Sequence, residues 1–289
     1  MTNKTGILAL IVALIALVFV IARPAGHETT PAKQETVFDH VMKTHTIRCG
    51  YATWRPALYK DLQTGDIKGI AHDIMEEIGK KLDLKIEWPE ETGWGTIVEG
   101  LHAHRYDMIC TGMAESAGRA RAVGFSKPFV YAPQYLVVRS DETRLKHSAD
   151  LNDQAFRIAV LDGEVFSLTA PIQFPKAKIY SMPQLTDFSL MVQEVVLGKA
   201  DSTGVGMSDY VHYNLSNPGK LKLLNKDEPL QVYPLVLGIP QNDVAMKTMI
   251  DAALDELIND GTVERITRGY VESPDELLLP AKSYANMHP

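Results

Sequence analysis

Cysteine is scarce in this chain: only Cys49 and Cys110 occur. Two thiols cannot staple a miniprotein, and without a Cys-x-x-Cys there is no basis for dithiol redox chemistry or a zinc knuckle. Positive charge is short as well, with 29 Lys+Arg against 36 Asp+Glu for a formal charge of −7. Gripping phosphates needs a Lys/Arg surplus gathered on one face, and no such run appears, so nucleic acid is not an expected partner. The sequence also has no P-loop, GxGxxG, HExxH or GxSxG. His102-x-His104 falls at a helix end, where residues two apart point to different faces, which makes a poor metal pair. No metal and no cofactor are expected. Short-period repeats and low-complexity tracts are missing, which excludes solenoids and propellers.

What is present is globular. The chain has 289 residues, 45% hydrophobic and 22% charged. At roughly 150 residues per domain that is enough for two compact units, each with its own core. Residues 5–22, TGILALIVALIALVFVIA, carry no charge between Lys4 and Arg23. They could form a helix of roughly 27 Å, long for a cleaved signal and near the short limit for a span. Val20-Ile21-Ala22 offers a small-residue cleavage signal, so residues 1–22 read either as a signal peptide or as a membrane anchor. Either fate exports the rest of the chain. Residues 23–44, rich in Pro, Thr and charge, read as a linker, with the globular part beginning near His45.

Strand and helix patterns then alternate. TIRCGY reads as a strand; Ile70, Ile74, Ile78 and Leu82 line one face of a helix; LKIEW is a strand, TIVEGLHAH a short helix and YDMICTGM a strand. Ser116 could cap a helix opening SAGRARAV. Strand, helix and strand in succession imply parallel pairing. The same grammar repeats after Leu136-Val137-Val138: FRIAVL ends at Asp162-Gly163, GEVFSLTA turns into a helix, and KIYSM, SLMVQEVVLGKA and DSTGVGM follow. LQVYPLVLGIP returns to strand. A last helix places Met246, Met249, Ile250, Ala253, Leu254 and Leu257 along one stripe and stops at Gly261. Cys49 and Cys110 both lie in strand-like runs. They stay buried thiols, or form one bridge if their strands are neighbours with Cα atoms within about 7 Å.

GYATWRPALYKDLQTGDIKGIAHDIMEEIGKKLDLKIEW resembles the opening of the family 3 extracellular solute-binding proteins, the periplasmic receptors of polar amino acid ABC transporters. GWGTIVEGLHAHRYDMICTGMAESAGRARAVGFSKPF is similar to that family's central signature, and AALDELINDGTVERITRGY to its closing helix pair. The resemblance spans about residues 45–271. It implies a two-lobed α/β clamshell of the type II periplasmic-binding-protein kind, with two crossover strands, preceded here by the N-terminal hydrophobic helix. Residues 45–138 plus 236–275 would build lobe 1, 139–235 lobe 2, and 276–289 a C-terminal tail. It also implies a monomer in the periplasm that binds a small carboxylated solute and presents it to a membrane permease.

Carried over residue by residue, the resemblance makes Arg119 the clamp on the ligand carboxylate, with its planar fork of donors. Arg121 is the solvated neighbour. Thr111, Gly112 and Ala114 would complete the carboxylate and amine shell, and Trp94 would lay an aromatic face on the ligand. Gly163, Glu164, Val165 and Phe166 would supply N–H groups from the second lobe. There are departures. Ala52 stands where the family usually has Asp, Arg55 where it has Tyr or Phe, and Gly206 where a second-lobe Asp meets the α-amino group. Asp209, Glu115 or Glu164 could replace the missing acids; otherwise the ligand lacks an ammonium, or carries a second anion that Arg55 meets. Two other readings stand beside the receptor: an enzyme on the same fold, of the cyclohexadienyl dehydratase kind, and a tethered sensory or docking module.

Overall fold

The structure is a computed structural model that describes residues 35–281. Residues 1–34, with the apolar segment and most of the expected linker, and residues 282–289 lie outside the described part.

The fold starts earlier than the sequence suggests. Helix α1 (Val37–Thr44) opens with a reciprocal cap. Asp39 N donates to the Thr36 hydroxyl at 3.0 Å and Thr36 N donates to the Asp39 carboxylate at 3.2 Å. Such a box satisfies two of the helix's free N–H groups. Val41 is fully buried and packs with Val37 and Phe38 into the main core. The linker reading therefore fails over residues 36–44: Thr36 and Asp39 cap a helix. The expected tail is also tied down at its start. Leu277 is buried, and Leu278 and Tyr131 exchange N–H···O bonds of 2.8 Å.

Ten strands form one curled sheet. In chain order the elements are β1 (Thr46–Tyr51), β2 (Tyr59–Lys60), β3 (Ile67–Lys68), α2 (Ile70–Leu82), β4 (Lys85–Glu91), α3 (Ile97–His102), β5 (Met108–Ala114), β6 (Gly124–Phe125) and β7 (Val130–Arg139). There follow β8 (Arg157–Leu161), α4 (Val165–Gln173), β9 (Lys178–Met182), α5 (Phe188–Val196), β10 (Ser202–Gly206), α6 (Met207–Ser216), β11 (Leu221–Leu223), β12 (Gln231–Ile239), α7 (Val244–Asn259) and α8 (Thr262–Arg268). The sheet order is β4-β1-β5-β12-β7-β10-β8-β9; β6 pairs with β12 and β11 with β7. At one end β4, β1 and β5 run parallel, and at the other β10, β8 and β9 do. Between them β7 and β12 run antiparallel. β12 pairs with β7 over residues 231–235 and with β5 over 235–238, while β7 passes from β12 to β10 at Gln134. These two strands thus belong to both halves. β2 and β3 make a separate hairpin.

Each half has its own core. α2 buries Ile70, Ile74 and Ile78, and α7 buries Met246, Ile250, Leu254 and Leu257, in one cluster with β1, β5 and β12; Leu82 and Met249 pack at its edge. Cys49 and Cys110 sit in that cluster, joined by a disulfide with Cα atoms 5.3 Å apart. The other half splits into a cluster under α4 with Phe166 at its centre and one under α5 and α6 around Met191 and Tyr213. Such two-sided covering is what parallel strands require.

Candidate functional site

Where the two parallel sets end and face each other lies a cavity of about 50 Å³. Carboxyl ends of parallel strands are where α/β folds bind ligands. Trp54, Trp94, Val165, Phe188 and Leu235 give it apolar walls, and Arg119, Gln134, Glu164 and Asp209 bring polar groups to it.

Arg119 reaches the cavity from a single 3-10 turn, Arg119–Arg121, rather than from the α-helix expected over SAGRARAV. Its N-cap is Gly118, with no side-chain cap, and not Ser116; Ser116 lies two residues earlier, where its hydroxyl accepts from Arg119 N at 3.3 Å. The turn ends at once because Val123 is buried and Gly124–Phe125 are drawn into pairing with β12. Arg119 is only 8% exposed, while Arg121 is exposed. Its Nη1 donates to the Ala114 carbonyl at 3.0 Å and its Nη2 to the Gly163 carbonyl, in the other half, at 2.9 Å. Burial lowers its pKa, against the pull of Glu164 and Tyr233. A guanidinium starts so far above neutrality that it keeps its charge. The cation lies 5.8 Å from the Trp94 ring centroid.

Two carboxyls line the same cavity. Glu164 caps α4, accepting from Phe166 N at 2.8 Å. Burial pushes its pKa up to about 7, opposed by the Phe166 N–H, the Arg119 charge and the N–H groups of Val165 and Ser167. Asp209, in the first turn of α6, accepts from Gly206 N at 3.1 Å and from the Trp54 indole N–H at 3.1 Å. Desolvation in the closed cleft pushes it up to about 7 too, against the Trp54 and Gly206 bonds and with the help of the Glu164 charge. One cation therefore sits with two acids that titrate near neutrality.

The halves also meet elsewhere. Gly95 N donates to Gln184 Oε1 at 2.9 Å, and Trp54 and Phe188 meet with ring centroids 6.4 Å apart. Gly163 has φ +78°, and a Cβ there would stand 2.4 Å from Gly95 Cα, so only glycine lets the two loops approach. Outside this wall a groove of about 800 Å³ opens between the halves.

The expected site residues divide accordingly. Trp94, Gly112, Ala114, Arg119, Glu164, Val165, Gly206 and Asp209 all border the cavity, and Gly163 contributes its carbonyl to Arg119. Thr111 does not turn toward it: fully buried, its hydroxyl donates to the Ala52 carbonyl at 2.9 Å, holding the loop after β1 against β5. N–H groups of the α4 turn are already engaged, Glu164 N with the Leu161 carbonyl, Ser167 N with the Glu164 carbonyl and Phe166 N with the Glu164 carboxylate. The helix thus carries its own anion where the resemblance placed the ligand's. Arg55 lies in the outer groove with its guanidinium 3.5 Å from the Tyr59 ring centroid. Glu115 is exposed. His102 is spent on the Ala122 carbonyl at 2.6 Å, and no group of three metal-ligating side chains occurs among the described residues. Sequence reasoning missed Trp54, Gln134, Phe188 and Tyr233. Gln134 had a signal, a lone amide in the apolar strand APQYLVV; the others are aromatics that only the fold brings together.

The sequence profile of the bacterial extracellular solute-binding proteins, family 3, matches residues 47–273. The chain belongs to that family. Its members are extracellular, which places the folded part outside the cytoplasm, and among the described residues no helix is long and apolar enough to cross a membrane. The chain is 24% identical over 261 residues to a probable amino-acid-binding protein, YxeM, of Bacillus subtilis, covering 90% of this chain and 93% of that one. It is 22% identical over 276 residues to the L-cystine-binding protein TcyA of Bacillus subtilis, covering 92% and 96%. Among solved structures it resembles the ancestral amino acid-binding protein AncCDT-1, a precursor of cyclohexadienyl dehydratase, with TM-score 0.71 and 26% identity over 81% of this chain and 99% of that one. A binding component of an ABC transporter from Wolinella succinogenes, complexed with lysine, has the same fold, with TM-score 0.70 and 24% identity over 79% of this chain and 97% of that one.

Proposed function

We propose that this protein is the extracytoplasmic receptor of an ABC transporter, acting as a monomer to capture an amino acid or a related carboxylate-bearing solute between two lobes. Residues 45–138 plus 236–275 form the first lobe and 139–235 the second, with α1 added to the first. The observation that carries the reading is Arg119, a buried guanidinium on a cavity between the halves with each terminal nitrogen on a backbone carbonyl, one per half. Opening the halves breaks the bond to Gly163 and frees Nη2. A ligand carboxylate then takes its place, worth about 1.5 to 3 kcal/mol for each charge-assisted bond. A cavity of about 50 Å³ is far below the roughly 300 Å³ or more of a ligand pocket, so capture requires that opening. Asp209 and Glu164 stand in for the acids missing at Ala52 and Gly206, and Trp94 covers the ligand. Residues 5–22 either hold the receptor at the membrane or are removed on export.

A thermal-shift screen over amino acids, keto acids, dicarboxylates and opines tests this, followed by calorimetry on the hits. Saturating ligand should raise the melting temperature by mass action; a flat screen across all four classes would overturn the proposal. Glu164 favours one other reading, because a buried carboxyl pushed up to about 7 beside a cation has the properties of a general acid. Incubation with hydroxylated cyclic acids separates the two. A receptor returns its ligand unchanged.

A further inference from the structure

The polar groups on the cavity are satisfied within the protein, with one exception. Arg119 is spent on two carbonyls, Glu164 on the α4 turn, and Asp209 on Gly206 N and Trp54. Gln134 is 6% exposed and borders the cavity, and its Oε1 is buried with no hydrogen-bond partner among the described residues. A buried acceptor left unmade is expensive. An apolar side chain would fit an inward position of a strand whose neighbours are Leu136, Val137 and Val138 at far lower cost.

Its neighbours say what it is for. Gln134 pairs directly with Gly206 across the β7/β10 ladder, and directly opposed residues of an antiparallel pair put their Cβ atoms on the same face. Gly206 has no side chain. A Cβ there would meet Asp209 Oδ2 at 3.2 Å and Trp54 at 3.4 Å. The space beside the Gln134 amide is therefore shared by a carboxylate from α6 and an indole from the other half, and an acid at position 206 would crowd Asp209. Charge count agrees. One cation, two acids and an orphan carbonyl make a site rich in acceptors, suited to a ligand group with several N–H donors.

We infer that Gln134 is a specificity-determining residue: its side-chain carbonyl accepts a hydrogen bond from the ligand's ammonium, which Asp209 holds from the neighbouring helix while Arg119 takes the carboxylate. The ligand is then an α-amino acid, not a keto acid or a dicarboxylate, and Asp209 with Gln134 does the work of the acid absent at Gly206. This inference rests on the receptor reading above.

Calorimetry on the full chain tests it with paired probes: L-lysine and 6-aminohexanoate, and L-glutamine and glutaramate, each pair differing only in the α-amino group. Wild type should prefer the amino acid of the pair it binds. Gln134→Leu should weaken that amino acid about tenfold and the deaminated partner less than twofold, with the ligand-free melting temperature unchanged or raised. Gln134→Glu, which keeps an acceptor, should restore the preference. An unchanged ratio in Gln134→Leu would overturn the inference while leaving the receptor reading intact. Equal losses for both partners with a lowered melting temperature would overturn it as well, by showing a packing role. Wild type that binds a deaminated partner as tightly as its amino acid would refute the ammonium assignment. Should none of the four bind, the amino acid found by the screen above and its deaminated analogue take their place: a screen whose hits are all keto acids or dicarboxylates overturns this inference alone, and a flat screen defeats it together with the receptor reading.

Discussion

Replacing Glu164 by Gln should change how stability depends on pH, with a sign and a size that the structure fixes. The unfolded chain releases this proton near 4.5, and the folded protein holds it until about 7. Between those values the unfolded state binds fewer protons than the native one, so stability falls as pH rises. The contribution is fully present below about 4.5 and lost by about 7; a shift of about 2.5 units is worth about 3 kcal/mol. Gln keeps an oxygen for Phe166 N and carries no charge to desolvate. Urea unfolding of both proteins at several pH values between 4 and 8 measures this, because groups that Glu164 does not influence cancel in the difference, while Asp209, relieved of the Glu164 charge, adds to it in the same direction. The two should be nearly equal at pH 4, and the variant more stable by about 3 kcal/mol at pH 8. A difference that stays constant within about 0.5 kcal/mol would refute the claim that burial governs this carboxyl.

Arg119→Ala should weaken carboxylate ligands by more than about 100-fold, or about 2.7 kcal/mol, and calorimetry showing unchanged affinity would refute the clamp. The same substitution removes the bond to Gly163, so scattering of the ligand-free variant should show a larger mean radius than wild type. Replacing both Cys49 and Cys110 by Ser opens a loop of 61 residues, whose closure is worth about 4 kcal/mol in the chain-entropy account. A fall of roughly 8 to 16 °C in melting temperature should follow, with ligand affinity within twofold of wild type; a fall under about 2 °C would count against it. Gly163→Ala places a methyl against the 94–95 backbone and asks for a left-handed φ, and should lower ligand affinity at least tenfold by holding the halves apart, as calorimetry would show.

Much of the fold was legible because it rests on local periodicity. The stripe Ile70, Ile74, Ile78 and the stripe Met246, Ile250, Leu254 are each buried as their spacing requires, and β1, β5, β8, β9 and β10 coincide with apolar runs. The start of the fold was not legible: α1 is short and its Thr36 and Asp39 look like linker residues until they are seen bonding each other. In the site, the position of Arg119 followed from a motif, but the helix around it did not form, because a buried Val123 and a strand partner 113 residues away, Gly238 opposite Phe125, decide the backbone there. Thr111 shows the commonest failure. A hydroxyl at a strand end can face a ligand or a neighbouring carbonyl, and only the loop carrying Ala52 determines which. Trp54 meets Asp209 across 155 residues of chain, a separation that no local pattern can report.

The strands β7 and β12 carry a mechanical consequence. Gln134 and Tyr233, which line the cavity, lie on the two strands shared by both halves, so in the proposed opening about those strands cargo would rest close to the pivot instead of out at the tips. Near a fulcrum a small thickness produces a large angular change at the rims. A permease that touches only those rims could then gauge, by how far they have shut, what has been seized deep inside.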